Sequence, residues 1–228
     1  MAASQTERFL HGAGDDYYMR NRNDFGQKEK DPVLSILKAT EIKPTSILEI
    51  GCANGWRLMK LKGLYNCHVR GIDPSTMAIQ EGSKDLGGDL QVGVAQHIPF
   101  DANSFDLVIF GYFMFLCEPN SWFQIMAEAN RVLADKGHIA HYDYISARPL
   151  VWEYAPAKAS SREKECRAWV YDHAKMWLSH PGYFAIAEGT GPCELGKTVA
   201  CQVMVTLLQK DMTRSFHKPD GTIPEFAQ

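Results

Sequence analysis

The sequence predicts an α/β fold: a doubly wound, mostly parallel seven-stranded sheet, helices on both faces, and an antiparallel strand pair at the C-terminal end. Three observations predict it. Short apolar runs alternate with helical patterns between about residues 45 and 145, the rhythm of strand–helix–strand crossovers. Those runs are apolar almost without interruption, as strands buried on both faces are. Finally, Ile47-Leu48-Glu49-Ile50 opens into Gly51-Cys52-Ala53-Asn54-Gly55 and then directly into a helical pattern. Such a turn lets a ligand approach the main chain and meet the free amides of a helix start.

Taken in order, residues 1 to about 30 are polar and aromatic, with Gly14, Asp15, Asp16, Tyr17, Tyr18 and Arg20. This stretch reads either as a solvated arm or as a flap over a ligand. In the second case Tyr17 or Tyr18 supplies an aromatic wall and Arg20 a fork for a carboxylate. Val33, Ile36 and Leu37 fall at helical spacing and predict a short helix over about 32–40; Pro44 ends it. Then follow strand 46–50, helix 55–62, strand 67–72, helix 75–84, strand 90–94, strand 105–110, helix 120–133 and strand 137–144. Residues 147–181 form an aromatic, charged insertion, apolar runs at 183–188 and 198–208 read as the closing strands, and the polar tail 212–228 as loosely ordered.

The chain of 228 residues, 45% hydrophobic and 22% charged, is expected to form a single domain. A net charge of −3 gives no basic footprint, so no nucleic acid is expected as a partner. No run of about 18 apolar residues exists, so no membrane span is expected, and the N-terminus does not read as a signal peptide. The six cysteines are scattered without a C-x-x-C pair. They suit reduced, buried thiols in a cytoplasmic protein and give no local zinc spacing, so no metal is expected.

Glu49, Gly51 and Gly55, with Cys52, Ala53 and Asn54 between them, resemble motif I of the class I S-adenosylmethionine-dependent methyltransferases, E/D-x-G-x-G-x-G, with Ala53 in the place of the middle glycine. The dinucleotide fingerprint G-x-G-x-x-G does not fit. Gly71-Ile72-Asp73-Pro74-Ser75 puts an acid at the tip of the second strand, where a ribose diol is held. The same residues read as a helix N-cap, and the readings agree if Ser75 caps while Asp73 faces the ligand. Val94–Phe100, ahead of Ser104–Gly111, is similar to the family's G-D-A-x-x-L-P-F…S-F-D-x-V. The likeness places Ala95 and Gln96 beside the adenine, with Val94 replacing the usual acid and His97 ordering the loop. Glu128-Ala129-Asn130-Arg131-Val132-Leu133 resembles the family's E-x-x-R-V-L, a scaffold segment. The resemblance implies a Rossmann-like fold, S-adenosylmethionine as cofactor, S-adenosylhomocysteine as product and no metal.

Candidate catalytic groups lie at the rim expected beyond the strand ends, along with Gly111 and Tyr112. His141 and Asp143 are two apart on a strand and share one face, either as base or acceptor-orienting group, with Asp143 nearer the tip, or bonded to neighbouring loops. Tyr171 and Lys175 are spaced as helical neighbours; with Arg148, Arg167 and His180 they would make a cationic, aromatic lid over an anionic acceptor. Gly14–Asn21 and Tyr171–Pro181 are similar to stretches in methyltransferases linked to bacterial surface-polysaccharide genes. That likeness implies a small sugar-like, nucleotide-linked or phosphate-bearing acceptor, methylated on oxygen by preference and on nitrogen as second choice, by a monomer or homodimer. A non-catalytic cofactor-binding subunit is the alternative from another class.

Overall fold

In the computed structural model, residues 3–25, 31–154, 158–192 and 201–215 are described. The chain begins with α1 (Gln5–Arg8), a π-helical stretch Phe9–Ala13 and α2 (Gly14–Asn21). Ser4 and Glu7 close a reciprocal capping box on α1. The expected arm is therefore a helical segment, bent at Gly12, whose φ of 120° is open to glycine. α3 (Pro32–Ala39) follows, with Pro32 in its first turn and the Asp31 carboxylate accepting the Leu34 N–H at 2.9 Å.

The core alternates as expected: β1 (Ser46–Ile50), α4 (Trp56–Tyr65), β2 (His68–Asp73), α5 (Thr76–Leu86), β3 (Leu90–Val92), β4 (Phe105–Gly111), α6 (Trp122–Val132) and β5 (Leu133–Ser146). Then come β6 (Leu150–Glu153), β7 (Arg167–Val170), α7 (Ala174–Leu178), β8 (Tyr183–Pro192), β9 (Cys201–Lys210) and α8 (Met212–Ser215). Seven strands form one sheet in the order β3-β2-β1-β4-β5-β9-β8, and β6 pairs with β7 separately. β1 to β5 run parallel, whereas β9 is antiparallel to both β5 and β8. The Rossmann-like sheet with its closing antiparallel pair is the predicted one.

Alternation along the strands divides the core in two. Ile47, Leu107 and Leu207 join Val33, Leu58 and Ile79 of α3, α4 and α5 on one face. Leu48, Val108 and Ile139 join Ile125, Ala129 and Trp177 of α6 and α7 on the other. A third cluster, with Ala13, Phe115, Tyr144, Tyr154 and Val170, ties the N-terminal segment and the β6–β7 hairpin to the strand ends.

Three expectations are corrected here. The insertion 147–181 contains the β6–β7 hairpin, for which no turn signal was read. The expected helix neighbours Tyr171 and Lys175 do not share a helix, because α7 begins at Ala174. The strand expected over 90–94 ends at Val92. Of the tail, 212–215 is a short helix, and 216–228 lies outside the described residues, as do 26–30 and the start of the run 198–208. Among the described residues no helix is long and apolar enough to cross a membrane.

Candidate functional site

The strand order reverses between β1 and β4, and a cavity of about 630 Å³ opens beyond the carboxyl ends of these strands. That is where open α/β sheets place their ligands. The turn after β1 forms its floor. Gly51 and Gly55 have φ of 70° and 71°, left-handed values that a glycine adopts without strain. Ala53, in the place of the resembled motif's middle glycine, takes φ of 49° and keeps the turn at the expense of strain. Ala53→Gly is expected to leave the fold unchanged and to shift stability by no more than about 1 kcal/mol, strain relief being offset by a freer unfolded chain. A denaturant titration measures it; a loss above about 2 kcal/mol would show that the Ala53 methyl packs in a way the turn depends on.

Two acidic positions carry the floor's electrostatics. Asp73, at the tip of β2, accepts the Ala53 N–H on Oδ2 and the Ser75 N–H on Oδ1, each at 2.8 Å. It thereby holds the turn and still has lone pairs toward the cavity. Burial raises its pKa to about 6, against the pull of the Ser75 and Ala53 amides. Glu49 lies beneath Gly51 and gives Oε1 to the Arg57 guanidinium, which also grips Asp31 through Nε at 3.1 Å and Nη2 at 3.0 Å. All three are buried. Burial works against the charge on Arg57, but Glu49 and Asp31 together hold its pKa above the ordinary value. Burial likewise pushes Glu49 up to about 7 despite Arg57. Two carboxylates on one guanidinium leave the trio an acceptor-rich wall, and Glu49 Oε2 is buried with no hydrogen-bond partner. A cationic donor on the cavity side would satisfy it. Gly111 makes the trio possible, since a Cβ there would come within 2.6 Å of both Arg57 Nη1 and Glu49 Oε1.

At the far end the wall is aromatic. Tyr17 from α2, Tyr112 and Phe113 after β4, and Tyr142 and Tyr144 of β5 all line the cavity. Tyr112 and Tyr144 lie 4.6 Å apart between ring centroids. Burial raises the pKa values of Tyr17 and Tyr112, and lifts Tyr144 to about 12, so these phenols are neutral hydrogen-bonding groups at ordinary pH. Along the side, Pro74, Ala95 and Gln96 reach the cavity, and Gln96 Nε2 donates to Thr6 Oγ1 of α1 at 2.8 Å.

Of the expected site residues, the cavity gathers Tyr17, Glu49, Gly51, Cys52, Ala53, Asp73, Pro74, Ala95, Gln96, Gly111 and Tyr112. The others are placed elsewhere. Arg20 turns its guanidinium onto Glu163 and Tyr154 OH, stiffening the contact between α2 and the insertion, and offers no fork to a ligand. Ser75 caps α5 and donates to Asp15 at 2.7 Å. His97 closes its own loop by a bridge to Val94, Gly55 packs against Leu86 and Leu90, and Asn54 does not line the cavity. Lys175 is exposed and pairs with Asp172, while Tyr171 stacks on Trp122. No lid forms from these two.

His141 and Asp143 are also corrected. They share a face of β5 as expected, but it is the α6–α7 face, and the cavity sees Tyr142 and Tyr144 instead. Asp143 accepts the Phe115 N–H at 3.1 Å and the Tyr144 N–H at 2.7 Å, fixing the loop after β4 from behind. Burial raises Asp143 to about 7 and lowers His141 to about 3. Neither reaches a ligand in the cavity. Sequence reading missed Asp31, Arg57, Tyr142 and Tyr144. Arg57 had one available signal, its position in the first helical turn after the glycine loop.

The comparisons with known proteins now have a geometry to be set against. A family model described as a methyltransferase domain matches residues 47–137, which spans the glycine turn, Asp73 and the 94–100 loop. The malonyl-[acyl-carrier protein] O-methyltransferase of Geobacter sulfurreducens is 31% identical over 166 residues, 68% of this chain and 61% of that protein. The chain thus spans about three-fifths of the length of this curated relative. Among solved structures, the 1,6-didemethyltoxoflavin-N1-methyltransferase of Burkholderia thailandensis, which holds its substrate and S-adenosylhomocysteine, superposes with a TM-score of 0.68. The match covers 92% of both chains at 12% identity. The PH0226 protein of Pyrococcus horikoshii OT3 superposes with a TM-score of 0.57 over 78% of this chain and 87% of its own, at 20% identity. At such identities the structural likeness speaks for the fold.

Proposed function

We propose that the chain is a class I S-adenosylmethionine-dependent methyltransferase and that it transfers a methyl group from S-adenosylmethionine to a small polar acceptor, releasing S-adenosylhomocysteine. The observation that carries this reading is the buried, unpartnered Glu49 Oε2 facing the cavity beside the Gly51–Gly55 turn. The ammonium of the cofactor's methionine end is the cationic donor this oxygen lacks. Asp73 takes the ribose diol, and Pro74, Ala95 and Gln96 flank the adenine. The sulfonium methyl then points along the cavity toward Tyr17, Tyr112, Tyr142 and Tyr144.

Methyl transfer from a sulfonium is an in-line displacement, and the enzyme's part is alignment and exclusion of water. Among the described residues no histidine lines the cavity, and burial keeps the phenols of Tyr17, Tyr112 and Tyr144 neutral. An acceptor that needs no base therefore fits best. An already ionised oxygen does, with tyrosine hydroxyls as donors and the sulfonium as its counter-charge. We accordingly favour O-methylation of a small carboxylate, a sugar acid being the form in which the surface-polysaccharide resemblance and this chemistry agree. The curated relative is named as a malonyl-[acyl-carrier protein] O-methyltransferase, which is in keeping with transfer to oxygen. N-methylation of a neutral amine is the second reading, favoured by the same absence of a base. We place the protein in the cytoplasm, consistent with the free, buried thiols of Cys52, Cys67 and Cys166.

The test is methyl transfer from radiolabelled S-adenosylmethionine across three acceptor panels: sugar acids, neutral sugars and small amines. Label in a base-labile ester with a sugar acid is the expected result. Label confined to neutral sugars would overturn the base-free mechanism. Cofactor binding without transfer to any panel would favour a non-catalytic subunit.

A further inference from the structure

On the α6–α7 face of the sheet, among residues that do not line the cavity, one donor atom each from His141, Asp143 and His173 lies within 4.8 Å of the other two. The residues are 4%, 2% and 1% exposed. His141 and Asp143 come from β5; His173 stands immediately before α7, 32 residues along the chain from His141. Neither ring nitrogen of either histidine has a hydrogen-bond partner. A neutral imidazole must carry an N–H on one nitrogen and a lone pair on the other, so four polar ring atoms are buried unmet. Thr206 faces His141 across the β5–β9 ladder, and its buried hydroxyl also lacks a partner. Asp143 has no cation beside it among the described residues' salt bridges. Its oxygens accept the backbone N–H groups of Tyr144, Phe115 and Met114, which leaves a lone pair for an ion.

We propose that His141, Asp143 and His173 bind one divalent transition-metal ion of the zinc class. Two imidazoles and a carboxylate are a donor set that zinc, iron(II) and cobalt(II) accept, with a position left for a water or for the Thr206 hydroxyl. No protein group competes for the ring nitrogens of either histidine, so each can turn one nitrogen to an ion. The ion also supplies the positive charge that the buried carboxylate lacks. A water molecule in the same place would meet some of the ring nitrogens and leave that charge uncompensated.

The site's position assigns it a structural task. Asp143 holds the Phe115 amide, and Phe113, Leu116 and Cys117 of the same loop wall the cavity. His173 belongs to the insertion. One ion would therefore fasten the insertion to β5 behind the cavity wall. None of the three residues lines the cavity, so this inference stands apart from the methyl-transfer reading.

The full chain, stripped with a chelator and dialysed, is titrated with Zn²⁺ by calorimetry and with Co²⁺ by visible absorption, and its melting is followed with and without metal. One equivalent bound at micromolar concentration or tighter, a d–d band from Co²⁺ and a raised Tm are expected. His141→Ala and His173→Ala each abolish that equivalent and the Tm rise, whereas His68→Ala, at an exposed position on β2, retains both. Wild-type protein that binds no stoichiometric metal overturns the proposal, and this arm does not depend on any variant folding. Binding that survives in folded His141→Ala and His173→Ala overturns it equally.

Discussion

Arg57→Met is expected to lower folding stability by about 3–5 kcal/mol, the range for removing one partner of a buried ion pair. The magnitude follows from what is left behind. Arg57 is 5% exposed and is the shared cation of Asp31 at 4% and Glu49 at 1%. Methionine fills the volume of the stem but answers neither charge, so two carboxylates remain in a dry site. Glu49, already pushed up to about 7 by burial, then loses the guanidinium that holds it down and has a folded-state pKa further above its unfolded one. Such a group contributes stability below the unfolded value and loses it as pH rises through the folded value. The deficit of Arg57→Met should therefore narrow toward about pH 4, near the unfolded carboxylate values, and widen through neutrality. Adding Asp31→Asn and Glu49→Gln to Arg57→Met should recover part of it at pH 7. Urea titrations at three pH values test this. A deficit under about 1 kcal/mol with no pH dependence would place the trio among exposed pairs of little worth.

The same trio shows where sequence reading stops. Glu49, Gly51 and Gly55 were legible because their spacing is local, and Asp73 because a strand tip after a glycine turn has a known use. Asp31 and Arg57 are 26 positions apart, and no local pattern joins a helix N-cap to the first turn of another helix. Only the packing of α3 against α4 does so. The succession of strands and helices along the chain was readable from the alternation of periods, since buried strands and amphipathic helices carry different ones.

Which face of β5 meets the ligand was not readable. His141 and Asp143 differ from Tyr142 and Tyr144 by one residue of parity. Chemistry-bearing side chains at a strand end drew the catalytic assignment, while the cavity took the tyrosines and the opposite face took the histidine and the acid. The same limit applies to the cluster with His173. Metal spacing was sought locally in the chain, and the insertion brings the third group back from a distance. Tyr171 and Lys175 were read as one helix face; α7 starts three residues after Tyr171, so that face does not exist.

Asp73→Ala is expected to weaken S-adenosylhomocysteine binding by about 1–3 kcal/mol, the worth of hydrogen bonds to a charged acceptor, or roughly 5- to 150-fold in Kd. Asp73 has two jobs, since its oxygens also hold the Ala53 and Ser75 amides at 2.8 Å. A loss of affinity alone would not tell ribose recognition from a displaced turn. A ligand lacking the ribose hydroxyls separates them. If Asp73 holds the diol, the 2′,3′-dideoxy analogue binds wild type more weakly than the parent and gains little further loss in Asp73→Ala. Equal losses for both ligands would assign Asp73 to the turn alone. The pH dependence gives an independent arm. Burial raises Asp73 to about 6, and only the ionised form accepts from two hydroxyls. Wild-type affinity should therefore fall as pH drops through about 6, and Asp73→Ala should lose that step. A second step near pH 7 belongs to Glu49, whose charge meets the ammonium, and it should persist in Asp73→Ala and vanish in Glu49→Gln. Calorimetry from pH 5 to pH 8 resolves both, because the two carboxylates hold opposite ends of one ligand and neither substitution removes the other's proton.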